Sequence, residues 1–99
     1  MPNQKITVMA FVRAKKGSEA AIKQLLTELQ QVCRSEKGNI QYQVHQSREN
    51  PAEFVTHEIW ENDEVHNAHL SSPQIRAALA SSASLLIEPV KITIWNPVG

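Results

Sequence analysis

Glu58 is the residue at which chemistry would be expected to start. It lies in the stretch EFVTHEIWE, residues 53–61, and shares a strand face with Phe54, Thr56 and Trp60. Burying a carboxylate among such neighbours is costly and raises its pKa, which suits it to act as a general acid or base. The plainer reading is a structural acid paired with a histidine, a lysine or a backbone group. Three of the four histidines, His57, His66 and His69, lie close by in sequence. His66 and His69 are three apart and share one side of any helix that carries them. With His57 or Glu58 they supply metal-ligand types, but the spacing is not HExxH and no metal is expected. His69 is better motivated as a lone proton acceptor or donor, because Ser72-Pro73 breaks the helix beside it. Its plainer reading is a partly buried helix histidine.

The other reactive side chains point less sharply. Tyr42 has the type to donate a phenolic hydrogen bond into a cavity, although core tyrosines usually just find one partner. Trp60 and Trp95 read as packing or interface residues. Cys33 falls on an apolar helix stripe without an adjacent base and reads as an inert core thiol. Pro2 would present a secondary amine if Met1 were removed, but polar Asn3 and Gln4 separate it from the first strand. No glycine-rich phosphate loop, GxSxG or cysteine motif occurs.

These residues sit in a chain of 99, read as one domain spanning 1–99. Ten basic residues balance ten acidic ones, for a formal net charge of zero. Nucleic-acid binders and basic membrane-surface domains need an electropositive footprint, so neither class is expected. A lone thiol suits a reducing compartment. No N-terminal apolar run resembles a signal peptide and nothing is long enough to span a bilayer, so a cytoplasmic location is expected.

The elements that position the candidates follow from periodicity. Residues 5–13 (KITVMAFVR) form a short β-branched run with two largely apolar faces, as expected of a central strand covered on both sides. Ser18 is placed to cap a helix over 18–37, whose stripe of Ala21, Ile22, Leu25, Leu26, Leu29, Val32 and Cys33 is ended by Gly38. Residues 39–48 alternate, with Ile40, Tyr42 and Val44 on one face, and read as an edge strand. A turn at Glu49–Ala52 leads into the Glu58 strand, again apolar enough on both faces to be central. Asn62 or Asp63 caps a second helix to about Leu70, Ser72-Pro73 restarts it, and residues 90–95 (VKITIW) close the chain as a strand. The order β-α-β-β-α-β predicts an α+β, ferredoxin-like subunit with a four-stranded antiparallel sheet, strands one and three central. Its uncovered face would carry Met9, Phe11 and a tryptophan, a patch expected to pack against a second copy.

The series Tyr42, Pro51, Phe54, Glu58 and Trp60, followed by His69 and Ser72-Pro73, resembles the antibiotic biosynthesis monooxygenase domain, a branch of the dimeric α/β-barrel superfamily. It is most similar in feel to the small quinol monooxygenase type, and the spacing from Gly38 to Tyr42 fits as well. The resemblance implies a homodimer with two sheets face to face and a pocket between sheet and helices in each subunit. It implies oxidation of an electron-rich phenol or quinol by oxygen without a cofactor. Carried onto this chain, His69 and Glu58 become the catalytic pair, His69 as proton acceptor with Glu58 orienting it or sharing the proton. Tyr42, Trp60 and Phe54 become substrate-binding residues. The first strand offers Thr7 and Met9 where haem-degrading relatives carry an asparagine, and residues 73–84 hold no histidine, so haem degradation is disfavoured. Some monooxygenase members also use a strand asparagine that is missing here. Two rival readings stay open: an isomerase of a small hydroxy-ketone in the same pocket, and a non-catalytic dimeric binding or stress-response module.

Overall fold

Strand β1, Ile6–Arg13, is the spine of the computed structural model, which describes residues 4–99. Pro2, considered above as an N-terminal base, lies outside the described residues. β1 pairs on one side with β3, Glu53–Trp60, and on the other with β4, Lys91–Trp95. β2, Asn39–Gln46, adds to the far edge of β3, so the sheet runs β2-β3-β1-β4 with every pair antiparallel. The expected ferredoxin-like arrangement is therefore present, with the first and third strands central.

All the helices lie against one face of this sheet. α1, Glu19–Arg34, buries Ile22, Leu26 and Cys33. Ser18 occupies its N-cap position but makes no side-chain cap bond. Glu19 reaches back instead, its carboxylate accepting the Gly17 N–H at 2.8 Å. The helix stops at Arg34, three residues before the expected Lys37, because the N–H groups of Ser35 and Glu36 turn back to Val32 and Cys33 and tighten the last turn. Gly38 then swings the chain into β2 at φ 87°, a conformation that favours glycine. α2, Asp63–Leu70, is capped by Asn62, whose side chain accepts the Val65 N–H at 3.0 Å. α3, Pro73–Ser82, is capped by Ser72 with proline in its first turn, and ends in a 3₁₀ turn, Ala83–Leu85.

Two side chains of α1 protect the free edge of β2. The Val44 N–H donates to Gln30 Oε1 at 2.7 Å, and Arg34 Nε donates to the Tyr42 carbonyl at 2.9 Å. Backbone groups that would otherwise template another strand are thus occupied, and α1 is tied to the strand that carries Tyr42. Ile40 departs from expectation: it is 47 % exposed, because the register shifts between Asn39 and Gln41 and turns it out of the face that buries Tyr42.

The core divides into two clusters. Ile6, Val8, Cys33, Tyr42, Trp60 and Ile75 pack at one end, and Val12, Ala14, Ile22, Leu26, Phe54 and Leu86 at the other. Within the chain β1 is covered on one side only, since Phe11 on the opposite face is 40 % exposed. That open face stacks in three rows set by the register: Gln41–Ile59–Thr7–Trp95, Gln43–His57–Met9–Thr93 and His45–Val55–Phe11–Lys91. Trp95 is the tryptophan on it. No described helix is long and apolar enough to cross a membrane.

Candidate active site

Between the two core clusters lies a cavity of about 70 Å³. Its polar lining comes from Tyr42, Thr56, Glu58, His66, His69 and Ser82, and aliphatic side chains supply the rest. The polar groups come from four separate elements, so only the folded chain assembles them.

Glu58 projects from β3 toward the helices, paired across the sheet with Val8 on one side and Tyr42 on the other. It is buried, and both carboxylate oxygens are occupied: the Thr56 hydroxyl donates to Oε2 at 2.6 Å and Trp60 Nε1–H donates to Oε1 at 2.9 Å. These donors are its neighbours two residues away on the same strand face, as strand periodicity requires. Thr56 Oγ1 in turn accepts the Ala10 N–H at 3.0 Å. Burial raises the Glu58 pKa above the ordinary carboxylate value. The two hydrogen bonds and the nearby His69 pull it back without cancelling the rise.

His69 projects from α2 onto the same cavity, but Glu58 is not its hydrogen-bond partner. Its Nδ1 meets Glu36 Oε2 at 2.6 Å, a carboxylate in the turn after α1 and 33 residues away in sequence. A carboxylate only accepts, so Nδ1 carries the proton in a neutral His69 and Nε2 keeps its lone pair. The ring packs on Trp60 with centroids 4.4 Å apart and approaches Tyr42 at 6.3 Å. A proton received at Nε2 would leave the ring between the Glu36 carboxylate and the Trp60 indole.

His66, weighed above only as a metal-ligand type, is 1 % exposed and lines the cavity. It packs on Trp60 at 5.8 Å and stacks with His69 at 6.0 Å. Burial, and then the charge His69 can carry, lower its pKa, so His66 stays neutral beside its neighbour. Tyr42 is held as a neutral phenol: burial, and then the Glu58 charge, push its pKa far up. The structure therefore supplies a hydrogen-bond donor there and not a phenolate.

Two expected substrate contacts sit elsewhere. Phe54 is 3 % exposed, packs with Val12, Ile22 and Leu86, and does not line the cavity. It precedes Thr56 and Glu58 on the same strand face, at the end of β3 that packs in the second core cluster. Trp60 is fully buried and supports the site through Glu58 and His69 without lining it. His57 points to the open sheet face and meets Gln41 at 2.7 Å, so it cannot join His66 and His69 around a metal.

One other group of ligand types comes together among the described residues. Cys33 Sγ, a Glu36 oxygen and a His69 ring nitrogen lie within 4.8 Å of one another. Burial, and then the Glu36 charge, push the Cys33 thiol up to about 12, and the Glu36–His69 hydrogen bond uses the lone pair and proton between them. A cation entering here would have to displace both protons. Sequence reasoning missed Glu36 and passed over His66. The one cue for Glu36 was its position three residues after Cys33, on the same helical side.

The sequence profile described as Antibiotic biosynthesis monooxygenase matches residues 5–81. No protein of curated function matches the chain. Among solved structures, PA3566 from Pseudomonas aeruginosa superposes with a TM-score of 0.90 at 25% identity, covering 100% of this chain and 99% of its own. Rv0793 from Mycobacterium tuberculosis follows at 0.89 and 24% identity, with 97% of each chain covered. A Deinococcus radiodurans protein provisionally named an antibiotic biosynthesis monooxygenase reaches 0.88 at 25% identity, over 95% of this chain and 93% of its own. The profile spans most of the chain, and the β-α-β-β-α-β order and the sheet topology agree with it. The chain belongs to the antibiotic biosynthesis monooxygenase family.

Proposed function

We propose that this protein oxidises a quinol or similarly electron-rich phenol with oxygen, with His69 as the proton acceptor. The observation that carries this reading is the Glu36–His69 pair, with His69 on the wall of a cavity that is mostly aliphatic. It leaves Nε2 as the basic atom available to a substrate hydroxyl. Once the phenolic proton moves to Nε2, the imidazolium is held by Glu36 and Trp60. The phenolate, in a site poor in water, is a strong enough reductant to pass electrons to oxygen itself. The O–O bond then breaks: one oxygen atom replaces the hydrogen of a ring carbon, the other leaves as water with the ring and hydroxyl protons, and the substrate, which supplies all four electrons, ends as a quinone bearing the added oxygen. Tyr42, neutral and beside Glu58, donates a hydrogen bond to a substrate oxygen.

Replacing His69 with alanine is expected to lower quinol-dependent oxygen uptake about 10²–10⁴-fold while the fold survives. Glu36→Gln keeps an acceptor for Nδ1–H but loses the charge, so it lowers the rate without abolishing it. Oxygen uptake unchanged in His69→Ala, measured with an oxygen electrode, sinks the assignment. Turnover of a hydroxy-ketone under strict anaerobiosis would favour the isomerase instead.

The reading includes a homodimer formed through the open sheet face. Support comes from the apolar centre of that face, at Met9, Phe11, Val55 and Ile59, with Trp95 half-exposed at its edge.

A further inference from the structure

The cavity is asymmetric in two ways. Its polar groups gather at the end where β1 carries Val8, since Glu58 pairs with Val8 and Tyr42 pairs with Glu58. Toward Val12 the lining is aliphatic, through Ile22, Leu26 and Leu86, apart from Thr56 and Ser82, whose hydroxyls are already bonded to Glu58 and to the Leu79 carbonyl. The second asymmetry concerns access. Only two of the lining residues are exposed, Leu79 of α3 at 41 % and Ile92 of β4 at 38 %. The cavity therefore opens sideways, between α3 and the edge strand β4. From β3, which carries Glu58, to β4 is two strand spacings, about 10 Å. Outside the opening the surface stays apolar, with Ile94 at 53 % and Ile87 at 58 % exposed.

We propose that this opening is a slot for an aliphatic tail, so that the ligand is an amphiphilic phenol or quinol bound head-first. Its hydroxylated ring lies against Glu58, Tyr42 and His69. An alkyl or isoprenoid substituent runs out between Leu79 and Ile92. The proposal rests on reading this cavity as the substrate site and adds the class of substrate. A compact polar ring alone would leave the aliphatic mouth facing water. A purely aliphatic ligand would strip water from Glu58 and His69 without replacing its hydrogen bonds. A molecule with one polar ring and one apolar tail meets both ends, and the continuous apolar wall from Val90 to Ile92 gives the tail a surface to cover.

The test uses the full chain and para-alkylphenols from methyl to octyl, titrated by calorimetry without oxygen. Each methylene buried in the slot is expected to tighten binding about threefold to fourfold. The gain should flatten once the chain clears the mouth. In Leu79→Ser and Ile92→Thr, which alter half-exposed side chains on two different elements, the gain per methylene should fall below about twofold. Affinity independent of chain length in the unaltered protein overturns the proposal, including the case in which a second copy seals the mouth. A gain per methylene kept in both variants overturns it too. The oxygen-uptake experiment is separate. Chain-length dependence without quinol oxidation keeps the slot and removes the monooxygenase reading, and quinol oxidation with flat affinities does the reverse.

Discussion

Glu58 carries opposing forces. Desolvation favours its neutral form, and the Thr56 and Trp60 hydrogen bonds favour the carboxylate. Its folded pKa lies above the ordinary 4.5. Between those two values the native state binds more protons than the unfolded chain, so stability falls as pH rises through the window. Glutamine fits the same place, because its oxygen can accept from Trp60 Nε1–H and its amide can donate to Thr56 Oγ1 if that hydroxyl turns. Urea unfolding of Glu58→Gln across that range is expected to lack the decline seen in the parent. A parallel decline in both proteins would show that Glu58 is not its source. Glu58 was legible in the sequence because strand alternation alone puts it among Phe54, Thr56 and Trp60. Its hydrogen-bond partners were not, since nothing in the spacing shows that the Trp60 indole turns its N–H back to the carboxylate two residues away.

Among the elements, α2 matters most, because it carries both cavity histidines. Its seat is set by Gly38. A Cβ added there would come within 2.8 Å of Val65 Cβ, and the backbone sits at φ 87°. The Gly38 carbonyl also accepts the Glu61 N–H at 2.9 Å, just before the helix begins. Gly38→Ala is therefore expected to cost about 1–2 kcal/mol in backbone conformation, with a further ~1–3 kcal/mol from crowding Val65. Adding Val65→Ala removes both Cγ methyls but keeps Cβ, the nearest atom, so it should recover part of the crowding cost and leave the backbone cost. Chemical denaturation of the single and double variants measures both, and full recovery in the double variant would mean that the backbone term is absent. The glycine itself was visible as a helix stop. Its second role, as the flat surface on which α2 rests, depends on a helix 27 residues further along the chain.

At the level of the assembled molecule, the open face separates a monomer from a dimer. Phe11, in the row His45–Val55–Phe11–Lys91, is 40 % exposed, so a charge placed there burdens an interface far more than it burdens the single subunit. Sedimentation equilibrium of the parent is expected to give twice the chain mass of 11.1 kDa, and Phe11→Glu to give 11.1 kDa. A parent that sediments at the single-chain mass would remove the dimer. The same reasoning applies to the resemblance drawn from Tyr42, Glu58, Trp60 and His69: family and fold came from the order of elements and a few side-chain types, which a chain in isolation displays.

What the sequence by itself determined was direction. Alternation along β1 and β3 is covalent geometry, so the face that carries Glu58, the central place of both strands and the apolar open face could all be read before folding. The breaks at Gly38 and Ser72-Pro73 are equally local. What only the tertiary structure decided was partnership and depth. Glu36 meets His69 because a tightened helix end and the packing of α2 on Gly38 bring two turns of chain together, and no spacing encodes that meeting. His66 is buried and Phe54 lies beyond the cavity because where the helices come to rest across the sheet sets how deep each side chain lies.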